Sequence, residues 1–246
     1  KGNSIVVTTG TGSGKTECFM LPLVHDLIKR QQQGEIQAIF LYPLNALMED
    51  QKERLQELLD GTDLTFAVYN GNLPHDDGRY DRSANGRRKQ QQVQEERKKY
   101  KNIVPTREEL WACPPNIILT NPTMLEYMLL RNKDQHLFTP GSLKWIVIDE
   151  AHMYRGSSGG EVSLLIRRLF HRLDIDRSRV QFILTTASMP NNNDEDRQNV
   201  MIFANELTAS DAMHPFCYLT GEREKIENGS EFLIPFNKFK EFPPEV

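Results

Sequence analysis

Eight residues near the start of the chain, Thr9-Gly10-Thr11-Gly12-Ser13-Gly14-Lys15-Thr16, constrain the fold more tightly than any other stretch. They follow Ile5-Val6-Val7-Thr8, an apolar, β-branched strand candidate, and precede Glu17-Cys18-Phe19-Met20-Leu21, where a helical pattern opens. Strand, glycine loop, Lys-Thr and helix in that order describe a P-loop. Glycines let backbone N–H groups turn inward around phosphate oxygens, and the new helix adds the positive end of its dipole. Lys15 is placed to reach the β- and γ-phosphates of a nucleotide, and the Thr16 hydroxyl to ligate Mg²⁺. The strict pattern asks for glycine at position 9, where this chain has threonine. The phosphate reading rests on the remaining loop and on both flanking elements.

Such a loop sits at the edge of a parallel α/β sheet, and the rest of the chain alternates accordingly. A helix is predicted over 16–30 and a strand over 37–42. Leu44, Leu47, Met48, Leu55, Leu58 and Leu59 then recur at helical spacing, with Asn45 as N-cap and Gly61 as stop. Strands follow at 64–69 and 116–120. Asn121-Pro122 then supplies a cap and a first-turn proline for a helix through Leu125, Met128 and Leu129. Trp145-Ile146-Val147-Ile148 is apolar at every position, as a strand buried on both faces must be. Ser158 and Glu161 read as a capping box opening an amphipathic helix through Val162, Leu165, Ile166, Leu169 and Leu173. A strand over 180–185, a helix over 194–207 and a segment from His214 to Leu219 complete the series. Six or seven strands alternating with helices predict an α/β fold, a mostly parallel sheet covered on both faces.

Residues 73 to about 112 break this rhythm. They are polar and poor in apolar residues, and read as an insertion outside the core. Between Arg79 and Lys101 nine basic residues meet three acidic ones, a local excess of six positive charges within a chain of net charge −4. This segment is either an arm that contacts nucleic acid or a solvated, charged hairpin. The net charge of the whole gives no support to a polyanionic partner. Cys18, Cys113 and Cys217 lie far apart, outside any disulfide or zinc spacing, and point to reduced thiols in a cytoplasmic or nucleoid-associated protein. The six histidines form no ligand pair, so no structural metal is expected. No apolar run approaches the ~18 residues of a membrane span. Beginning at Lys1, just ahead of a core strand, the chain reads as a piece of a longer protein.

The buried strand 145–148 ends in Asp149-Glu150-Ala151-His152. Ligands of open α/β sheets gather at the carboxyl ends of strands, so this acidic pair can face the P-loop. Asp149 is placed to hold Mg²⁺ through its water shell and Glu150 to align an attacking water.

With these residues in view, the chain resembles the superfamily 2 helicases and translocases of the DEAH-box type, from about Ile5 to Leu219. The P-loop resembles motif I and Asp149 to His152 motif II. Tyr42-Pro43-Leu44-Asn45-Ala46-Leu47 is similar to motif Ia, Tyr69-Asn70-Gly71-Asn72 to the glycine motif, and Thr120-Asn121-Pro122 to motif Ib. The resemblance implies ATP and Mg²⁺ as cofactors, a RecA-like domain over 1–220, and catalytic roles for Lys15, Asp149, Glu150 and His152. It also implies a track for one nucleic-acid strand at Pro43, Asn45, Gly71, Thr120, Asn121 and Pro122. Thr186-Ala187-Ser188 stands where motif III, usually Ser-Ala-Thr, belongs, with the two hydroxyl residues exchanged. The resemblance gives it a bond to His152 and the coupling of hydrolysis to strand movement.

A narrower resemblance, carried by the stretches 119–127 and 152–169, points to the branch of 3′–5′ DNA-repair and phage-defence helicases, and so to DNA. Nothing after Leu219 resembles a second RecA-like lobe with its arginine fingers, and residues 221–246 read as a linker or the start of that lobe. The expected function is the ATP-hydrolysing first lobe of a DNA helicase, nearly inactive alone. A duplex-DNA translocase, an RNA helicase and a nucleotide-gated DNA-binding module are the alternatives.

Replacing Lys15 with alanine is expected to weaken Mg·ADP binding by calorimetry about 10- to 100-fold, the value of a charged hydrogen bond. Glu150→Gln is expected to leave nucleotide binding intact while lowering turnover in the complete enzyme ~10²–10⁴-fold. Unchanged binding by the lysine variant would remove the P-loop assignment.

Overall fold

In the computed structural model the described residues are 4–8, 15–186, 193–210 and 216–220, with Lys15 described by its backbone alone. The loop residues Thr9, Gly10, Thr11, Gly12, Ser13 and Gly14, the Lys15 side chain, Ala187, Ser188 and the segment 221–246 lie outside them.

Seven strands form one sheet: β1 (Ile5–Thr8), β2 (Ala38–Leu41), β3 (Phe66–Tyr69), β4 (Ile117–Thr120), β5 (Trp145–Ile148), β6 (Gln181–Thr186) and β7 (Cys217–Thr220). Their order is β3-β4-β2-β5-β6-β1-β7, and every pairing is parallel. The strands are short and apolar because both faces are covered. Alternate residues serve opposite cores, as a two-residue side-chain period requires. Phe40, Phe66, Val68, Leu119, Trp145 and Val147 pack with Phe19, Leu23, Leu27, Met48 and Leu55 of α1 (Lys15–Arg30) and α2 (Asn45–Leu59). Ile39, Leu41, Ile118, Ile146 and Ile148 pack with α5 (Pro122–Leu130), α6 (Ser157–Leu173) and α7 (Asp194–Leu207) on the other face. None of the described helices is long and apolar enough to cross a membrane.

The segment 73–112 differs from its expectation. It holds two helices, α3 (Ala84–Lys99) and α4 (Arg107–Ala112), in place of a hairpin or an arm. Tyr100 and Leu110 are buried in the two cores and Val93 is buried beneath α3, so a few apolar residues suffice to seat it. Five of its basic residues are paired with carboxylates. Arg79 meets Asp77, Lys89 Asp76, Arg97 Glu109, Lys99 Glu53, and Lys101 Asp60. Its charge is therefore largely spent within the fold. Beyond α3, Ile103 bridges Phe66 in parallel, and Asn102 donates to the carbonyls of Leu64 and Thr62, so the segment covers the edge of β3.

Asp134 ties this addition to the sheet. Fully buried, it accepts from the Tyr69 hydroxyl at 2.8 Å and from the Trp111 indole at 2.7 Å. Burial, then the Asp134 carboxylate, push the Tyr69 phenol up to about 12. Asp134→Ala orphans two donors at about 1–3 kcal/mol each. Urea unfolding is expected to show a loss of roughly 2–5 kcal/mol on that basis; a change under about 0.5 kcal/mol contradicts the anchoring role.

Candidate nucleotide site and nucleic-acid groove

The sheet order sorts the sequence motifs into two groups. The strands ending in the P-loop, motif II and motif III are β1, β5 and β6, with β6 between the other two. The strands ending in the glycine motif, motif Ib and motif Ia are β3, β4 and β2, also contiguous. All these carboxyl ends share one edge because every strand is parallel.

On the nucleotide side, Thr16 is the second residue of α1 and half-buried. Register pairs Ile148 with Leu184 and Thr8 with Thr186, so β6 presents Thr185 opposite Asp149 and Thr186 beside the strand that feeds the loop. The Thr185 hydroxyl donates to Asp149 Oδ1 and accepts the Glu150 N–H at 3.3 Å. Thr186 Oγ1 lies 3.3 Å from His152 Nδ1, the motif II–motif III contact expected of these residues. The same Nδ1 is 3.2 Å from Glu150 Oε2. Glu150 itself sits in the left-handed region, φ 47°, a conformation costing a non-glycine residue about 1–3 kcal/mol. Two buried phenols, Tyr42 and Tyr154, are raised by burial and then by the Asp149 charge, and stay protonated at neutral pH. Thr185 carries no signal in the sequence beyond its place one residue ahead of motif III, near the end of a strand.

On the other side, Pro43, Asn45, Gly71, Asn121 and Pro122 come together. With Tyr154, Ser158, Glu161, Leu164 and Arg168 they line a groove of about 760 Å³. Thr120 does not present its side chain there. It is fully buried and gives its hydroxyl to the Tyr69 carbonyl at 2.8 Å, which corrects its place in the track. Asn121 Oδ1 caps α5 by accepting from Met124 N–H at 2.8 Å, and its Nδ2 donates to Asn45 Oδ1 at 2.9 Å. Asn45 is thus not the cap of α2: Leu44 takes that position, without a side-chain bond, and Asn45 is free to link the two motifs. The capping box at Ser158 and Glu161 is likewise absent, because the helix cap falls two residues earlier, on Gly156 with φ 64° and ψ −133°, and α6 begins at Ser157. That backbone is reserved for glycine. Gly159 is required for a different reason: a Cβ there would lie 2.6 Å from the Tyr154 carbonyl oxygen. The first turns of α2, α5 and α6 all border the groove, and two of them lack a side-chain cap. Their free N–H groups and dipoles favour an anion.

Among the described residues no group of three or more His, Cys, Asp or Glu side chains could hold a metal. A single carboxylate with one oxygen engaged by Thr185, plus the Thr16 hydroxyl, suits a hydrated Mg²⁺ that arrives with phosphates.

A parallel sheet with a glycine-rich Lys-Thr sequence after one strand, Asp-Glu-Ala-His after another and a helix-rimmed groove beside them is a RecA-like fold. A family model described as DEAD/DEAH box helicase matches residues 1–196, and the chain belongs to that family. It is 30% identical to the Druantia protein DruE of Escherichia coli, over 90% of this chain and 17% of the relative. It is 32% identical to the uncharacterized ATP-dependent helicase YprA of Bacillus subtilis, over 78% and 21%. The crystal structure of the helicase MrfA bound to DNA matches at 31% identity with a TM-score of 0.58, over 89% of this chain and 24% of that one. The chain therefore spans about a fifth of the length of these relatives.

Asn121→Ala is expected to cost about 1 kcal/mol of stability through the lost cap. Asn45→Ala, which removes only the exposed link between motifs, should stay within about 0.5 kcal/mol. Equal losses in the two variants, by thermal unfolding, would show that the cap of α5 is not what Asn121 contributes.

Proposed function

We propose that this chain is the first ATPase lobe of a superfamily 2 DNA helicase, binding Mg·ATP at residues 9–16, Asp149 and Glu150 and one DNA strand in the groove. The carrying observation is that one short loop serves both sites: Asp149 and Glu150 open it on the nucleotide side, and Tyr154 closes it as a wall of the groove. A change in the position of the carboxylates is thereby passed to the strand over five residues. ATP as the fuel is supported by the family and by relatives named ATP-dependent helicases. DNA as the polymer is supported by the likeness to MrfA, solved with DNA.

In this reading Lys15 and the loop amides hold the phosphates, and Glu150, oriented by His152, holds the attacking water. Thr16 and Asp149 would hold Mg²⁺, which would supply neutralisation of the phosphate charge. Thr186 carries the state of motif II into β6 through His152. The strand is held chiefly by its backbone phosphates at the starts of α2, α5 and α6. Charge developing on the γ-phosphate calls for a cation from a facing lobe, worth ~10³–10⁵ in rate. Alone, this lobe should hydrolyse ATP near background, with stimulation by DNA restored in a two-lobe parent.

Arg168 is the one cation among the described residues lining the groove, and it bonds Glu126 at 2.7 Å across the α5–α6 wall. The test is fluorescence anisotropy of single-stranded DNA and RNA with this chain at several salt concentrations. DNA binding is expected, and Arg168→Gln should reduce the salt slope by ~0.7, one phosphate contact on a single strand. Glu126→Gln should tighten binding by freeing the guanidinium. Binding of neither polymer removes the groove assignment, and preference for RNA moves the reading to an RNA helicase.

A further inference from the structure

Thr185 has no assigned part in the motif scheme, yet its hydroxyl is used twice, and by the two residues on which hydrolysis depends. It is fully buried at the end of β6. As a donor it engages Asp149 Oδ1; as an acceptor it takes the Glu150 N–H. A hydroxyl is one of few groups that can do both at one atom. The bond to Glu150 also falls on a residue whose backbone is left-handed, φ 47° and ψ 45°, a geometry that needs outside support in a non-glycine residue. The neighbouring Thr186 is directed elsewhere, to His152. The two adjacent threonines therefore divide the motif II loop between them.

We propose that Thr185 is a positioning residue for the Mg·nucleotide site. By fixing Oδ1 it sets the carboxylate plane of Asp149 and leaves Oδ2 for the water shell of the cation. By holding the Glu150 N–H it keeps the next side chain on the turn that faces the site. This inference rests on the nucleotide reading above and goes beyond it in naming what orients the metal's carboxylate. A threonine that merely satisfies a buried corner would influence stability but not the response to magnesium, and the two roles separate on that point.

The experiment titrates MgCl₂ into this chain with a fluorescent ADP analogue at fixed concentration and reads the half-saturating Mg²⁺. Outer-sphere partners of metal ligands typically change metal affinity 10–100-fold, so Thr185→Val is expected to raise the midpoint about tenfold or more. Thr185→Ser keeps the hydroxyl and should remain within about twofold of the parent, because the outer-sphere bond survives. Thr185→Ala carries the same expectation as valine where the valine variant fails to fold by circular dichroism. A folded Val or Ala variant with the parent's midpoint overturns the proposal, as does a Ser variant shifted as far as either. If the parent binds the nucleotide without any dependence on Mg²⁺, the nucleotide reading itself fails and takes the proposal with it.

Discussion

Parallel pairing is the constraint from which the rest follows. When every strand runs the same way, all carboxyl ends reach one edge of the sheet, and whatever the connecting loops carry is brought into one row. Order along that edge then decides which loops are neighbours. Here β6 lies between β1 and β5, so the end of β6 is bonded to the residues that follow β5. A slip of one residue would exchange the two faces of β6, burying polar groups in the core and removing Thr185 and Thr186 from their partners. Phe182 and Leu184 packed on one face and Ile183 on the other prevent that slip. Core packing thus sets the position of two hydroxyl groups to within a hydrogen-bond length.

The junction between the two halves of the edge is held under local strain. Glu150 is left-handed, Gly156 occupies a region open only to glycine, and α6 approaches so closely that Gly159 touches the Tyr154 carbonyl. The left-handed Glu150 opposes folding by itself, while the two glycines avoid the clash or strain that any side chain would bring there. These conformations persist because the surrounding elements are rigid: Asp149 N–H continues the sheet bond to Leu41, and Ala151 and Tyr154 are buried. A loop held this way has few alternative positions, which is what the transfer of a small shift from carboxylate to groove requires.

Most of the fold was legible because strands such as Trp145–Ile148 and helices such as Ser157–Leu173 announce themselves by period. What was not legible depended on tertiary choice. Asn45 has the residue type of a cap, but its oxygen is taken by Asn121 from a strand two crossovers away, and Leu44 fills the cap position. Ser158 and Glu161 have capping-box spacing, yet the positive φ of Gly156 places the cap two residues earlier. In α3, sixteen residues bury only Gly86 and Val93, so no apolar period could be read, and the helix is fixed by Ser83 at its start and by salt links outside it. Thr120 was legible as a motif but not as a buried residue, since its burial comes from the register with β3 and β2. Of the nucleotide site, the identities of Asp149, Glu150 and His152 were plain in the sequence, whereas the role of Thr185 needed the neighbouring strand.

The charge balance bears on the proposal that the groove, and not the basic segment, takes a strand. A polyanion needs positive potential at the place of contact, and five cations of the segment 79–101 already face carboxylates on α2, α4 or nearby loops. Their field is largely cancelled within a Debye length, about 8 Å at physiological salt. The groove carries Glu126 and Glu161 against a single Arg168, so its side chains alone would repel phosphate. Attraction there must come from backbone dipoles at the starts of α2, α5 and α6, which act over little more than a turn and do not distinguish bases. A strand bound here as proposed would be gripped by its sugar-phosphate chain at close range, weakly and without regard to sequence. Contact of that kind is what the proposed lobe would need in order to release and regrip the same strand at each cycle of the nucleotide.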